Sequence, residues 1–183
     1  MRDESGYTLI EMLTVLLIFG TVMGALISLF VAATNSEVQS NRRFQAQQNA
    51  RLALDKLRRE VHCSSTATVT TPPSTTPLTT AGAHVTLTLP NSACRGYPQV
   101  SWCAVSVATS RYALYRKMGT TCDSSGTKYV DYLTSNAFFT FTSATTEILS
   151  RITVRFPVNT KPSEGEEAYT LEDELTLRNS SRL

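Results

Sequence analysis

The chain has no proline before Pro72, so nothing in the covalent backbone interrupts a helix up to that point. Formal charge is equally scarce near the start: between Glu4 and Glu37 the only ionisable carboxylate or cation is Glu11. Histidine is limited to His62 and His84, too few and too isolated for a zinc-ligand pattern. His62 is therefore read as a surface residue at a helix end. No GxSxG elbow, phosphate-binding glycine loop or dinucleotide turn occurs, so the usual nucleophile and nucleotide chemistries find no support. No catalysis, metal or cofactor is expected. The net charge of +2 is too small to argue a nucleic-acid partner by itself. Cys63, Cys94, Cys103 and Cys122 are 31, 9 and 19 residues apart, which matches no CxxC metal or redox motif.

What is present begins with Met12 to Ala33, 22 residues whose only polar members are Thr14, Thr21 and Ser28. At about 1.5 Å per residue a helix of this length spans the roughly 30 Å of a bilayer's hydrocarbon. A cleaved secretory signal is the rival reading, since Val31-Ala32-Ala33 offers small residues at a cleavage position. Against it, the leader is poor in positive charge and the apolar run exceeds the usual length of roughly 7–15 residues. Glu11 is the harder fact. A carboxylate at the edge of hydrocarbon costs about 2–3 kcal/mol and needs a partner, yet no cation follows it for 25 residues or more.

The stretch Gly6-Tyr7-Thr8-Leu9-Ile10-Glu11-Met12-Leu13 resembles the processing motif of type IV pilins and type II secretion pseudopilins, in which a short polar leader ends in Gly and an aromatic residue follows. The resemblance implies cleavage between Gly6 and Tyr7 by a membrane prepilin peptidase and N-methylation of Tyr7. It also implies assembly through Glu11, paired with the new amino terminus of a neighbouring subunit. Tyr7 stands where the family usually has Phe, and it keeps the aromatic ring. Cleavage would create an α-amino group cationic at neutral pH, which relieves an otherwise isolated acid in a bundle with little water.

Gly20 and Gly24 form a GxxxG pair, a pattern that lets helices approach closely in lipid. Beyond Ala33, Ala46, Ala50, Leu54, Leu57 and Val61 recur at intervals of three and four, an apolar stripe on one helix face. Arg51 with Asp55, and Asp55 with Arg59, are each spaced to pair on the other faces. One helix from about Thr8 to His62 is expected, roughly 80 Å long. Residues 64–82 contain eleven Ser or Thr and three Pro, which reads as an exposed connecting loop open to O-glycosylation.

Strand-like runs follow at 85–89, 100–107, 111–117, 128–133, 137–142, 150–156 and 168–179, with a hairpin at Ala108-Thr109-Ser110. The ending TLEDELTLRN resembles the last strand of PilW-like minor pilins and J-type pseudopilins. The expected fold is α+β and pilin-like. It comprises a leader (1–6), a transmembrane or filament-core helix (7–33), its amphipathic continuation (34–62), a Ser/Thr/Pro-rich loop (63–82) and a β-rich extracytoplasmic head (83–183). Four cysteines allow three pairings. Cys103–Cys122, at neighbouring strand ends, and Cys63–Cys94, tying the helix end to the sheet, are preferred.

Arg42 and Arg43 follow the span and by themselves favour a cytoplasmic location for that end. The cysteines and the pilin resemblance place the head outside, and long domains translocate largely regardless of charge. The expected life of the chain is thus as a single-pass protein of the cytoplasmic membrane, in contact with lipid until it joins a filament. Its partners would be the peptidase, other pilin or pseudopilin subunits and an inner-membrane assembly platform. The alternative is a membrane-anchored or secreted β-rich binding domain. Arg111, Tyr112, Tyr115, Arg116 and Lys117 mix cations and rings as single-stranded DNA binders in competence systems do, although strand alternation puts the two tyrosines on opposite faces. Glu164, Glu166, Glu167, Glu172, Asp173 and Glu174 lack the regular spacing of a calcium loop.

Overall fold

The structure, a computed structural model, describes residues 6–70, 81–82, 84–90, 98–161 and 168–180. The chain divides into two compact units, Met1–Arg42 and Arg43–Leu183. One helix, α1, runs over Leu9–Cys63.

In the first unit, α1 has no buried side chain. The hydroxyls along it are satisfied locally: Thr14, Thr21, Ser28 and Thr34 donate to the carbonyls of Glu11, Ile18, Ala25 and Val31 at 2.8–3.0 Å. The helix therefore offers an apolar exterior with its polar atoms turned back onto the backbone.

In the second unit, the remainder of α1 lies on an antiparallel sheet. The expected stripe is buried at Ala46, Ala50, Leu54, Leu57 and Val61, with Ala53 beside it. Three of these six are alanines, which lets the helix axis approach the strands closely. Ser64 ends the helix by folding back, its N–H and hydroxyl both donating to the carbonyl of Val61 at 3.1 and 2.8 Å.

The strands are β1 (Thr66–Thr70), β2 (Ala81–Gly82), β3 (His84–Thr88), β4 (Gln99–Ala108), β5 (Arg111–Met118), β6 (Thr127–Leu133), β7 (Phe139–Thr142), β8 (Arg151–Val158) and β9 (Tyr169–Thr176). Their order is β1-β3-β4-β5-β6-β8-β7-β2, with β9 on the other side of β8. β8 is the junction. It pairs along its whole length with β9, with β7 at its N-terminal half, and with β6 only where Leu133 meets Val158. Inward residues Val85, Leu87, Val100, Trp102, Leu114, Ile152, Val154, Phe156 and Leu175 join the α1 stripe in one core. Phe138 packs edge-on against Phe139 and Phe156. The helix-on-sheet α+β arrangement expected from the pilin resemblance is present.

Two expectations are corrected. The Ser/Thr/Pro-rich stretch is not all loop: Thr66–Thr70 is a strand in full register with His84–Thr88, and Ala81–Gly82 pairs with β7. In TATVT, β-branched residues alternate with Ala67 and Val69, which pack on the core, so the strand signal was there beneath the loop-like composition. The residues between these strands, 71–80, lie outside the described set. The second correction concerns charges. Asp55 pairs with Arg58 at 3.1 Å and with neither Arg51 nor Arg59, because Arg58 is drawn toward the sheet by Asp173 at 2.6 Å.

Cys103 and Cys122 form a disulfide, as expected. It closes the segment after β5 over the outer face of β4, where Ser101 Oγ also donates to Gly119 O at 2.6 Å. Gly126 in the same segment permits this approach, since a Cβ there would stand 2.6 Å from the carbonyl oxygen of Arg116. Cys94 falls outside the described residues, and with it the Cys63–Cys94 expectation. No free cysteine occurs among the described residues.

Candidate functional site

Gly6, Tyr7 and Thr8 precede the helix in non-helical conformation and are exposed, Tyr7 by 79%. Apart from its chain neighbours, no described residue has an atom within 4 Å of where a Cβ on Gly6 would stand. The helix starts at Leu9, and the amides of Glu11 and Met12 both donate to Thr8 O, at 3.1 and 3.2 Å. Glu11 thus falls in the first turn, where the unsatisfied N–H groups favour a negative charge. Its carboxylate is exposed and has no hydrogen bond or ion pair among the described residues. Met1–Ser5, most of the expected leader, lie outside those residues.

C-terminal to Glu11 comes an uninterrupted apolar surface: Leu13, Leu16, Leu17, Phe19, Leu26, Leu29 and Phe30 are each more than half exposed. α1 is the one described helix long and apolar enough to cross a membrane. Gly20 and Gly24 are four residues apart on it, with nothing within 4 Å of either missing Cβ. The elements of the site are therefore an exposed non-helical segment Gly6–Thr8 with an aromatic at its centre, an acid in the first turn of the helix with no partner among the described residues, and a bare apolar shaft.

Residues 1–27 match the family model of the prokaryotic N-terminal methylation motif, the prepilin cleavage motif of type IV pilins. Comparisons with curated proteins and with solved structures returned no match. The chain is thus a protein with a prepilin-type N-terminus on a pilin-like α+β fold.

The head holds a second polar constellation that reading the sequence missed. Glu60 is only 8% exposed and lies on the buried side of α1. It accepts from Trp102 Nε1 at 2.8 Å and from Arg116 Nε and Nη2 at 2.9 and 2.8 Å, and Lys56 approaches at 3.3 Å. Trp102 and Arg116 are direct cross-strand neighbours on β4 and β5, so one carboxylate collects both. Tyr129 packs on the Trp102 ring at 5.0 Å. The signal was available: Glu60 is three residues after Leu57 and one before Val61, within the stripe.

The cation-aromatic cluster of β5 is taken apart by the same geometry. Arg116 points under the helix to Glu60. Lys117 pairs with Asp123 at 2.7 Å, and Arg111 pairs with Asp131 at 2.9 Å while lying 4.0 Å over the Tyr132 ring. Hydrogen bonds from Lys117 and from Ser125 hold the Asp123 carboxyl down at about 2. Burial works to raise the Asp131 carboxyl, but Lys128, the Tyr132 amide and Arg111 outweigh it and hold it below its usual value. Tyr112 packs against the core while Tyr115 does not, in line with alternation. With each cation already neutralised, single-stranded DNA retention on filters should be weak. Its log–log dependence on salt should be near zero, against about −0.7 for every phosphate a true binder contacts.

The acidic strand β9 is likewise committed: Asp173 to Arg58, Glu174 to Arg151 at 2.6 Å, and Glu172 facing Arg155 at 4.0 Å. Among the described residues no group of His, Cys, Asp and Glu could hold a metal ion; Glu164, Glu166 and Glu167 are not among them. His62 is not a plain surface residue, since its Nδ1 contacts Thr176 O at 2.8 Å. In the LRN ending, Leu177 is buried and Asn179 donates to Cys63 O at 2.9 Å, tying the C-terminal segment to the end of α1.

Proposed function

We propose that this chain is a structural subunit of a type IV pilus or type II secretion-like filament, a minor pilin or pseudopilin. It is inserted through its apolar helix with the head outside the cytoplasmic membrane, cut between Gly6 and Tyr7 and methylated on Tyr7. The observation that carries this reading is the Glu11 carboxylate, exposed and unpaired among the described residues at the start of an apolar helix, within the matched methylation motif. Insertion without a partner leaves that acid costly; a neighbouring subunit's ammonium supplies one. In a packed bundle, Gly20 and Gly24 would admit a second helix. The peptidase and an inner-membrane assembly platform are the machinery such a subunit requires. The size and the PilW-like ending favour a minor subunit over a major one.

The test is the intact mass of the native chain. The expected result is loss of Met1–Gly6 and a gain of about 14 Da for one methyl group. A chain that keeps its first residues, or one starting at Thr34, would instead support a membrane-anchored or secreted binding domain.

A further inference from the structure

Two exposed features of the head complement one another in charge and polarity. On the side of α1 turned away from the core, Phe44 and Leu52 are 59% and 64% exposed. They are eight residues apart and so, at about 100° per residue, within roughly a quarter turn of each other. Arg51 and Arg59 project on the same side. Arg59 has no ion-pair partner among the described residues, and Arg51 has only the Tyr169 hydroxyl at 3.4 Å. Asp55, between them, is committed to Arg58. This face is apolar and cationic.

The second feature is the turn between β7 and β8. Glu147 is exposed without an ion-pair partner among the described residues, and Ile148 beside it is 39% exposed. The turn is braced from within. Thr145 N donates to Ile148 O at 2.9 Å, Thr145 Oγ1 accepts from the amides of Glu147 and Ile148, and Ala144 N donates to Ser150 Oγ at 3.0 Å. An acid and an aliphatic side chain are therefore presented on a preorganised knob, which lowers the entropy cost of docking.

Position decides how the two can meet. Leu177 N donates to Ser150 O, and Thr176 O receives His62, so the knob belongs to the level where α1 ends. Leu52 lies ten residues before His62, about 15 Å back along the helix axis. A contact between the knob of one copy and the helix face of another is thus head-to-tail and leaves a free knob and a free face at its ends. Such a contact is heterologous, using different surfaces on the two copies, unlike the self-complementary patch of a two-fold dimer.

We propose that the Glu147–Ile148 turn docks on the Leu52 face of α1 in a second copy of this chain, Ile148 against Leu52 and Glu147 against Arg59, with a stagger of about 15 Å. This rests on the filament-subunit reading and assigns that reading a contact between the head domains of two copies.

Two tagged full-length copies, one carrying Leu52→Cys and the other Ile148→Cys, are co-expressed in cells with an active peptidase. The expected result is an intermolecular disulfide joining the two tags, with no dimer from Leu52→Cys alone. Arg59→Glu or Glu147→Arg should each cut the cross-linked yield about tenfold, equivalent to about 1.4 kcal/mol, and the two together should restore it. No cross-link between the tags, equal dimerisation of Leu52→Cys alone, or insensitivity to both charge reversals overturns the contact. Intact mass on the same samples separates the two ideas. An uncut chain sinks the filament reading, whereas a correctly cut chain without the cross-link sinks only this surface.

Discussion

Glu60→Ala should destabilise the head by about 3 kcal/mol and lower its melting temperature by roughly 8 °C. Removing the carboxylate leaves the Arg116 guanidinium and the Trp102 indole N–H without their acceptor in a place where little water can replace it. The cost is that of an orphaned charge and donor more than of a lost attraction. Glu60→Gln should be milder, because an amide oxygen still accepts from one of the two donors. Trp102 is the chain's single tryptophan, so its emission reports on the cluster directly: a red shift in Glu60→Ala under native conditions is expected, ahead of global unfolding. Unchanged emission and unchanged melting would show that the cluster contributes nothing net.

Glu11→Ala should leave cleavage and methylation intact yet reduce incorporation into filaments by about ten- to a hundredfold, the equivalent of roughly 1.4–2.8 kcal/mol. The residue sits four positions beyond the proposed cut between Gly6 and Tyr7, which explains the first half. The second half follows from its lack of any partner within its own chain. Glu11→Gln should fall as far as Glu11→Ala, since a neutral amide fills the same space without attracting an ammonium. Quantifying the subunit in sheared filament fractions against its membrane pool gives the readout. Normal incorporation of the glutamine variant would remove charge from the account of assembly.

Much of the amino-terminal site could be read directly from the residues because its determinants are local. An apolar run, one acid, a glycine before an aromatic and the absence of proline act through neighbours along the chain, and the helix they define begins within a residue of expectation. Strand positions in the head were also legible wherever one face is buried, as in Val85 and Leu87, since burial imposes a period of two. The alternation in Thr66–Thr70 is present too, but the Ser/Thr/Pro-rich composition around it outweighs it in the sequence, and pairing with β3 decides for strand.

Charge pairing was the least legible property. Sequence spacing offers Asp55 two partners four residues away, but the tertiary fold brings Asp173 from β9 to Arg58 and turns the helix's ion pairs toward the sheet. In the same way a cluster of cations on one strand becomes three separate ion pairs, one of them beneath the helix. The chain alone determined the helix, the candidate cut and the acid that follows it, since each depends on contacts between residues close in sequence. Which carboxylate meets which cation, and which charges are left free to seek another molecule, was settled only by packing, because electrostatic partners are chosen by distance in space.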